Sequence, residues 1–298
     1  MRATVGLTAT GVAGLAYSAG YEVRAFTLRR VEIPCLPTGA APIKVLHISD
    51  LHMMPHQVKK QSWLRSLADL EPDLVVNTGD NLSHPDSVAA VIDSLGPLLR
   101  LPGVFVLGSN DYWGPVMKNP LRYFLPSGGK KRLQGPRLPW RPLREGFAAA
   151  GWLDLTNRVT RLDVAGSQVS VVGVDDPHLG YDSLDAVAGP ADDSADLRLG
   201  VTHAPYLRVL DAFTRDGYDI TFAGHTHGGQ LRVPGYGALV TNCDLDTRRS
   251  RGLHRHQSAG RSSWLHVSAG CGTSPYAPYR FCCRPEATLA TLTSAAEV

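Results

Sequence analysis

Short runs of Val, Ile and Leu recur along the chain, bounded by Gly, Pro, Asn or Asp, and they predict buried strands. They are Ile43–Ile48, Leu74–Asn77, Val104–Leu107, Val169–Val174, Leu197–Val201 and Ile220–Ala223. Between them the apolar positions return at helical spacing. Val58–Leu70 places Leu64, Leu67 and Ala68 on one face, and Val88–Leu99 does the same with Val88, Val91, Ile92, Leu95 and Leu99. Leu207, Leu210 and Phe213 mark a further helix that starts at Pro205 and stops near Gly217. Strands alternating with helices predict an α/β fold.

Polar residues gather where the strands end. Five runs finish in a short turn bearing Asp, Asn or His: Ser49-Asp50-Leu51-His52, Thr78-Gly79-Asp80-Asn81, Gly108-Ser109-Asn110-Asp111, Thr202-His203-Ala204-Pro205 and Gly224-His225-Thr226-His227. Ligands of α/β sheets bind beyond the carboxyl ends of the strands, so these turns are expected to share one rim. Carboxylates and amide oxygens suit hard cations, and imidazole suits Zn, Fe, Mn or Ni. Asp-x-His and His-x-His aim alternate side chains of an extended segment to the same side. The turns offer more donors than one ion needs, whereas two ions sharing a carboxylate, as in phosphoryl-transfer sites, use them all.

Composition narrows the class without changing it. With 43% hydrophobic and 19% charged residues in 298, the chain has the makeup of an ordinary globular protein. A formal charge of +3 is too weak to argue for nucleic acid, and no nucleic-acid-binding module is evident. The five cysteines are odd in number and include no C-x-x-C, which reads as reduced thiols. A Walker G-K-[ST] and a G-x-S-x-G elbow are both absent.

Two stretches stand apart. Residues 1–30 form a weakly hydrophobic segment, uncharged over 3–21, and read equally as a membrane anchor or membrane-surface helix and as a plain N-terminal helix; Ala16-Tyr17-Ser18-Ala19 also offers a loose signal-cleavage region. If it spans, Arg24, Arg29 and Arg30 hold the following domain, residues 40–298, on the cytoplasmic side; either way the chain is expected to be cytoplasmic, free or attached to that face. Within that domain, 112–144 is an insert rich in Arg, Lys, Pro and Gly, carries no acidic residue, and reads as a long loop or cap.

In order, Asp50-Leu51-His52, Gly79-Asp80, Gly108-Ser109-Asn110-Asp111, His203 and Gly224-His225-Thr226-His227 resemble the calcineurin-like metallophosphoesterase pattern of D-x-H, G-D, G-N-H-D/E, a lone His and G-H-x-H. The likeness covers about residues 43–292, with GHTHGGQ at Gly224–Gln230 its most specific part. It is nearest to bacterial members that often carry an N-terminal membrane segment, some of which act on phosphodiesters or lipid-linked pyrophosphates. The resemblance implies a four-layer α/β/β/α sandwich of two mixed sheets with a metal site at the strand C-terminal ends. It also implies that Asp50, His52 and His227 hold one divalent ion, that Asp80 bridges, and that an Asn, His203 and His225 hold a second. The ions are two of Mn, Fe, Zn, Mg or Ni. The implied activity is hydrolysis of a phosphodiester, phosphomonoester or pyrophosphate, lipid-linked or not, by in-line attack of a metal-bridging hydroxide, with Asp80, Asn110 and His203 as the catalytic set. An anionic phosphorylated small molecule or lipid is the implied partner.

The third turn departs from the pattern. A gapless match puts Ser109 at the amide ligand and Asn110 at the catalytic His, while ligand chemistry favours Asn110 as the amide donor. In either register the His that assists the leaving group is missing, a loss worth about 10²–10⁴-fold unless another group serves. His84 and His178 are the substitutes in reach along the sequence. The alternative reading is a catalytically degenerate metallophosphoesterase fold used for binding.

Overall fold

A computed structural model describes residues 14–117 and 134–294. The greater part of the 3–21 segment and the centre of the 112–144 insert lie outside the described residues. The chain enters through helical turns at Tyr17–Tyr21 and Glu22–Arg24, then β1 (Thr27–Leu36). The apolar runs become β2 (Ile43–Ile48), β3 (Leu74–Asn77), β4 (Gly103–Phe105), β7 (Ser167–Gly173), β8 (Leu197–Thr202) and β9 (Ile220–Ala223). The helical runs become α1 (Val58–Ser66), α2 (Ser87–Leu95) and α5 (Leu207–Asp216). Gly217, at φ 100°, ends α5 in the left-handed conformation that a residue with a side chain resists.

Two mixed six-stranded sheets result. One, with β5 (Leu153–Asp154) and β14 (Glu286–Ser294), runs β1-β14-β2-β3-β4-β5; β14 is antiparallel to β2 and the other pairs are parallel. The other, with β6 (Arg158–Val164), β12 (Gly252–Ser258) and β13 (Arg261–Val267), runs β12-β13-β9-β8-β7-β6 and is antiparallel only at its two edges.

The two-residue period of a strand sorts the core into layers. Val45, Leu74, Val76, Val104 and Val106 face inward and meet Val169, Val171, Leu197, Leu199, Val201, Ile220 and Phe222 of the opposing sheet. Their neighbours Leu46, Ile48, Val75, Phe105 and Leu107 face outward onto Leu64, Val91 and Leu95 of α1 and α2. On the far side, Val172 and Val174 pack beneath Val209 and Phe213 of α5. Helix, sheet, sheet, helix is the implied four-layer sandwich, and both faces of its central strands are dry.

The insert is not the uniform loop its composition suggested. A four-residue helix, α3 (Ser109–Tyr112), opens it, Trp113 bridges to Arg137, and α4 (Trp140–Ala149) begins within it. Proline defeats a loop reading here because Pro142 sits in the first turn of α4, where its missing N–H costs no helical hydrogen bond. Phe147 and Leu143 then bury against the α2 side of the core.

Candidate metal centre

Strands of both sheets end at one rim, and the five polar turns meet there. The carboxylate of Asp80 lies between two pairs of imidazoles. Its Oδ2 is 3.6 Å from His52 Nε2, and its Oδ1 is 3.4 Å from His203 Nε2. His52 Nε2 stands 3.2 Å from His227 Nε2, and His203 Nε2 stands 3.3 Å from His225 Nδ1. Asp50 Oδ1 is 3.6 Å from His227 Nε2. Asp50, His52 and His227 form one group with the spacing to hold a metal ion, and Asp50, Asp80 and His203 form another.

The backbone is strained where these side chains leave it. Asp50, His52, Asp80, His225 and His227 all have positive φ, between 41° and 68°. Non-glycine residues adopt this region at a cost of about 1–3 kcal/mol each, and such strain gathers at functional sites. Hydrogen bonds between turns hold the conformation: Asp50 N–H donates to the Gly79 carbonyl at 2.8 Å and His52 N–H to the Asp80 carbonyl at 3.0 Å. Gly224 is required by close approach, because a Cβ there would stand 1.9 Å from Ser49 Oγ and 2.7 Å from Asp50 Oδ2.

Asp111 organises the underside of the site. Its carboxylate accepts from the backbone N–H groups of Asp80 and Gly108 at 2.9 Å and of Asn81 at 2.8 Å, which ties the second turn to the third. Each imidazole is also held from behind. His52 Nδ1 is 3.1 Å from Ser83 Oγ, His203 Nδ1 is 2.7 Å from the Thr78 carbonyl, and His225 Nε2 is 3.2 Å from the Asn242 carbonyl. A second partner on the far nitrogen fixes ring orientation, as around metal-ligating histidines generally.

Burial sets the protonation pattern. It pushes the His52 pKa down to about 4 and Asp50 up to about 6. Burial also works to raise Asp80, but the adjoining His203 overrides it and holds the carboxyl well below its ordinary value. Buried carboxylates and a neutral imidazole crowded at 3.2–3.6 Å make a donor set that fits divalent cations.

In the third turn the Asn110 side chain reaches Asp80, its amide nitrogen 2.6 Å from Oδ2 and its backbone N–H 2.7 Å from Oδ1. Ser109 lines the same cleft. The two histidines proposed as substitutes separate. His84 is half-buried beside Asp86 and does not line the cleft. His178 does line it, its ring 4.4 Å from that of His225 and its Nδ1 3.1 Å from Tyr206 Oη.

Sequence reasoning missed two buried cations behind the site. Arg280 is fully buried and donates to the carbonyls of Ala269 at 2.7 Å and Gly272 at 2.6 Å, and its guanidinium lies 3.2 Å from His227 Nδ1. Lys60 Nζ donates to the Leu51 carbonyl at 2.6 Å and the His52 carbonyl at 3.3 Å. Neither carries a motif, since each acts on backbone that only the fold brings near. No helix among the described residues is long and apolar enough to cross a membrane.

A family model, calcineurin-like phosphoesterase, matches residues 43–229. The uncharacterized metallophosphoesterase YkuE of Bacillus subtilis (strain 168) is 24% identical over 293 residues, 97% of this chain and 92% of that protein. The phosphodiesterase YaeI of Escherichia coli (strain K12) is 26% identical over 298 residues, 98% of this chain and 97% of that protein. Among solved structures, the 5'-nucleotidase precursor from Thermus thermophilus aligns with a TM-score of 0.46 at 12% identity, covering 84% of this chain and 55% of that one. The chain belongs to the calcineurin-like phosphoesterase family, and with it to the metal-dependent phosphoric ester hydrolases.

Proposed function

We propose that the chain hydrolyses a phosphodiester, phosphomonoester or pyrophosphate at a binuclear metal centre. Asp50, His52 and His227 would hold the first ion and Asp80 would serve both. Asn110, His203 and His225 would hold the second, Asn110 through its amide oxygen in place of the amide nitrogen that meets Asp80 here. One observation carries the reading: the two oxygens of Asp80 face His52 and His203 on opposite sides. When bound, the pair of cations supplies a water nucleophile near neutral pH and neutralises charge on the phosphoryl oxygens.

The chain's own residues supply the rest. Asp111 fixes the turns that carry Asp80 and Asn110 through backbone hydrogen bonds. Asn110, against Asp80, and His178, beside His225, line the cleft the ester enters. Asn110 carries no titratable proton, so turnover is expected to favour good leaving groups such as nitrophenolate or a pyrophosphate.

The test is hydrolysis of bis-p-nitrophenyl phosphate by protein of measured Mn²⁺ content. Turnover is expected to disappear with a chelator and to return with the metal. Asp80→Ala is expected to lose bound metal and at least 10³-fold in kcat/KM, as when a group acting only through the bound ions is removed. Full activity in that variant defeats the proposal. The binding-fold reading draws on the missing histidine; chelator-sensitive turnover excludes it.

A further inference from the structure

The four imidazoles of the ligand set are backed unequally. His203 Nδ1 lies 2.7 Å from the Thr78 carbonyl, and His225 Nε2 lies 3.2 Å from the Asn242 carbonyl. A carbonyl only accepts, so in a neutral ring it draws the proton to its own side and leaves the other nitrogen as a lone pair. Those other nitrogens, His203 Nε2 and His225 Nδ1, stand 3.3 Å apart, with Asp80 Oδ1 3.4 Å from the first. Once His203 is neutral, as a ligand is, three acceptors converge on the position of the second ion with no change of tautomer. On the other side, His52 Nδ1 meets the Ser83 hydroxyl, which accepts or donates equally well.

His227 is backed the opposite way. Its Nδ1 faces the Arg280 guanidinium at 3.2 Å, and a guanidinium has only N–H groups to offer. The contact favours a lone pair on Nδ1 and the proton on Nε2, the nitrogen turned to Asp50 and His52. To hold an ion through Nε2, His227 has to move that proton to Nδ1, against the guanidinium, or turn away from it. Neither group withdraws easily. Arg280 is fully buried and donates to the carbonyls of Ala269, Gly272 and Cys283 at 2.6–3.1 Å. The Phe281 N–H donates to the Gln230 carbonyl at 3.1 Å and the Arg232 N–H to the Phe281 carbonyl at 2.9 Å. These bonds tie the His227 turn to the Arg280 segment just where the short hairpin of β10 (Arg232–Val233) and β11 (Gly237–Ala238) begins. The guanidinium charge also opposes a cation at His227, whereas the buried Asp176 carboxylate acts on His203 with the favourable sign.

We propose that Arg280 makes the two ions unequal: the ion at Asp80, Asn110, His203 and His225 binds tightly, and the ion at Asp50, His52 and His227 is the exchangeable one. Arg280 is a positioning residue in this scheme, acting on the first ion through His227. The proposal deepens the binuclear reading and rests on it for the existence of two sites. Giving up a hydrogen bond to a charged group costs a factor of about ten or more in an equilibrium constant. The first ion therefore binds at least about tenfold more weakly than it would without the guanidinium. The folded chain keeps its second ion, and the supply of free divalent cation decides whether the pair is complete.

The experiment titrates chelator-stripped, full-length protein with Mn²⁺, anaerobically and at about pH 8.5, where the His203 proton competes least. Calorimetry gives the two dissociation constants, and electron paramagnetic resonance separates a lone bound Mn²⁺ from a coupled pair. One equivalent is expected to give the lone signal, and the coupled signal to follow only at a free concentration at least about tenfold higher. Like ions repel in any such pair, so the assignment of the steps and their response to Arg280 carry the proposal. His203→Ala is expected to remove the tight step and His52→Ala the weak one. Arg280→Gln is expected to tighten the weak step at least about tenfold, and Arg280→Lys, which keeps the charge and a donor, to leave it within about threefold. Histidine-selective ¹⁵N NMR of the unsubstituted, metal-free protein reads the tautomer directly, with a His227→Gln spectrum for assignment. The His227 proton is expected on Nε2. The reverse assignment of the steps, a weak step that Arg280→Gln leaves unchanged, or a His227 proton on Nδ1 overturns the proposal. Two ions of equal affinity overturn it as well and leave the binuclear reading standing. A single ion at saturating Mn²⁺ defeats the binuclear reading, and the proposal with it.

Discussion

At the residue scale the site is a set of strained turns fastened by one carboxylate. Positive φ at Asp50, His52, Asp80, His225 and His227 persists because neighbouring backbone is pinned. Asp111 does much of the pinning, since it accepts N–H groups from Gly108, Asp80 and Asn81 at once. Asp111→Ala would leave four backbone donors, those three and the Leu82 N–H, without partners, each costing about 1–3 kcal/mol. The expected result is a loss of about 3 kcal/mol or more in urea unfolding, together with weaker Mn²⁺ binding. A variant with unchanged stability would show that the turns hold themselves. This role was not legible in the sequence, where Asp111 served only to align the third turn. A motif reveals which donors face the ligand, and it is silent on which carboxylate faces the backbone behind them.

At the element scale, legibility followed burial. The strands read in advance, β2, β3, β4, β7, β8 and β9, lie inside the sheets with apolar side chains packed on both faces, so their sequences are dominated by Val, Ile, Leu and Phe. The strands not read are mostly edges. In β1, Arg29, Arg30, Glu32 and Pro34 interrupt the pattern, as an edge position tolerates. In β6 and β12, one face meets water and polar residues alternate in, while β14 is built largely from Ala and Thr. The N-terminal segment was read for its hydropathy alone, yet its described part is fastened to the site's periphery. Glu22 accepts the backbone N–H groups of Cys282 and Cys283, next to Arg280 that abuts His227. Glu22→Ala is therefore expected to cost about 1–3 kcal/mol in urea unfolding and to weaken Mn²⁺ binding several-fold by calorimetry. An unaltered metal affinity would uncouple the segment from the site. Removing the first 30 residues would delete Glu22 and the first four residues of β1, so partitioning to membranes is better measured after deletion of residues 1–13 alone.

At the scale of the whole molecule, the fold gathers ionisable groups into a dry interior, so its stability depends on pH and on metal together. Burial pushes Asp176 up to about 7, and burial with the neighbouring Asp80 charge does the same to Asp111. Burial pushes His52 and His266 down to about 4. Between about pH 4 and 6.5 the two sets oppose each other. The unfolded chain binds extra protons on histidine, which makes stability rise with pH, while the folded chain binds extra protons on aspartate, which makes it fall. Above about pH 6.5 the first contribution ends, because these imidazoles are neutral in both states. The second continues through about pH 7, as Asp111 and Asp176 ionise only there in the fold. His203 adds the same sign in metal-free protein: burial opposes its charge, but Asp80 holds its pKa well above 6.5. Lys60 acts with the opposite sign, because burial pushes its pKa down to about 7 and the unfolded chain then holds the extra proton. It roughly cancels the two carboxylates, so the fall in stability of the chelated protein between about pH 6.5 and 8.5 is carried by His203. Bound divalent cations favour ionised carboxylates nearby and neutral imidazoles, which removes the excess protons of the folded state before about pH 6.5. Urea unfolding at both pH values, with chelator and with saturating Mn²⁺, measures both slopes. The metal-free slope should be negative and the loaded one less negative or positive, since Lys60 then acts unopposed. A metal-free protein equally stable at the two pH values would mean that Asp80 does not hold His203 protonated in the fold.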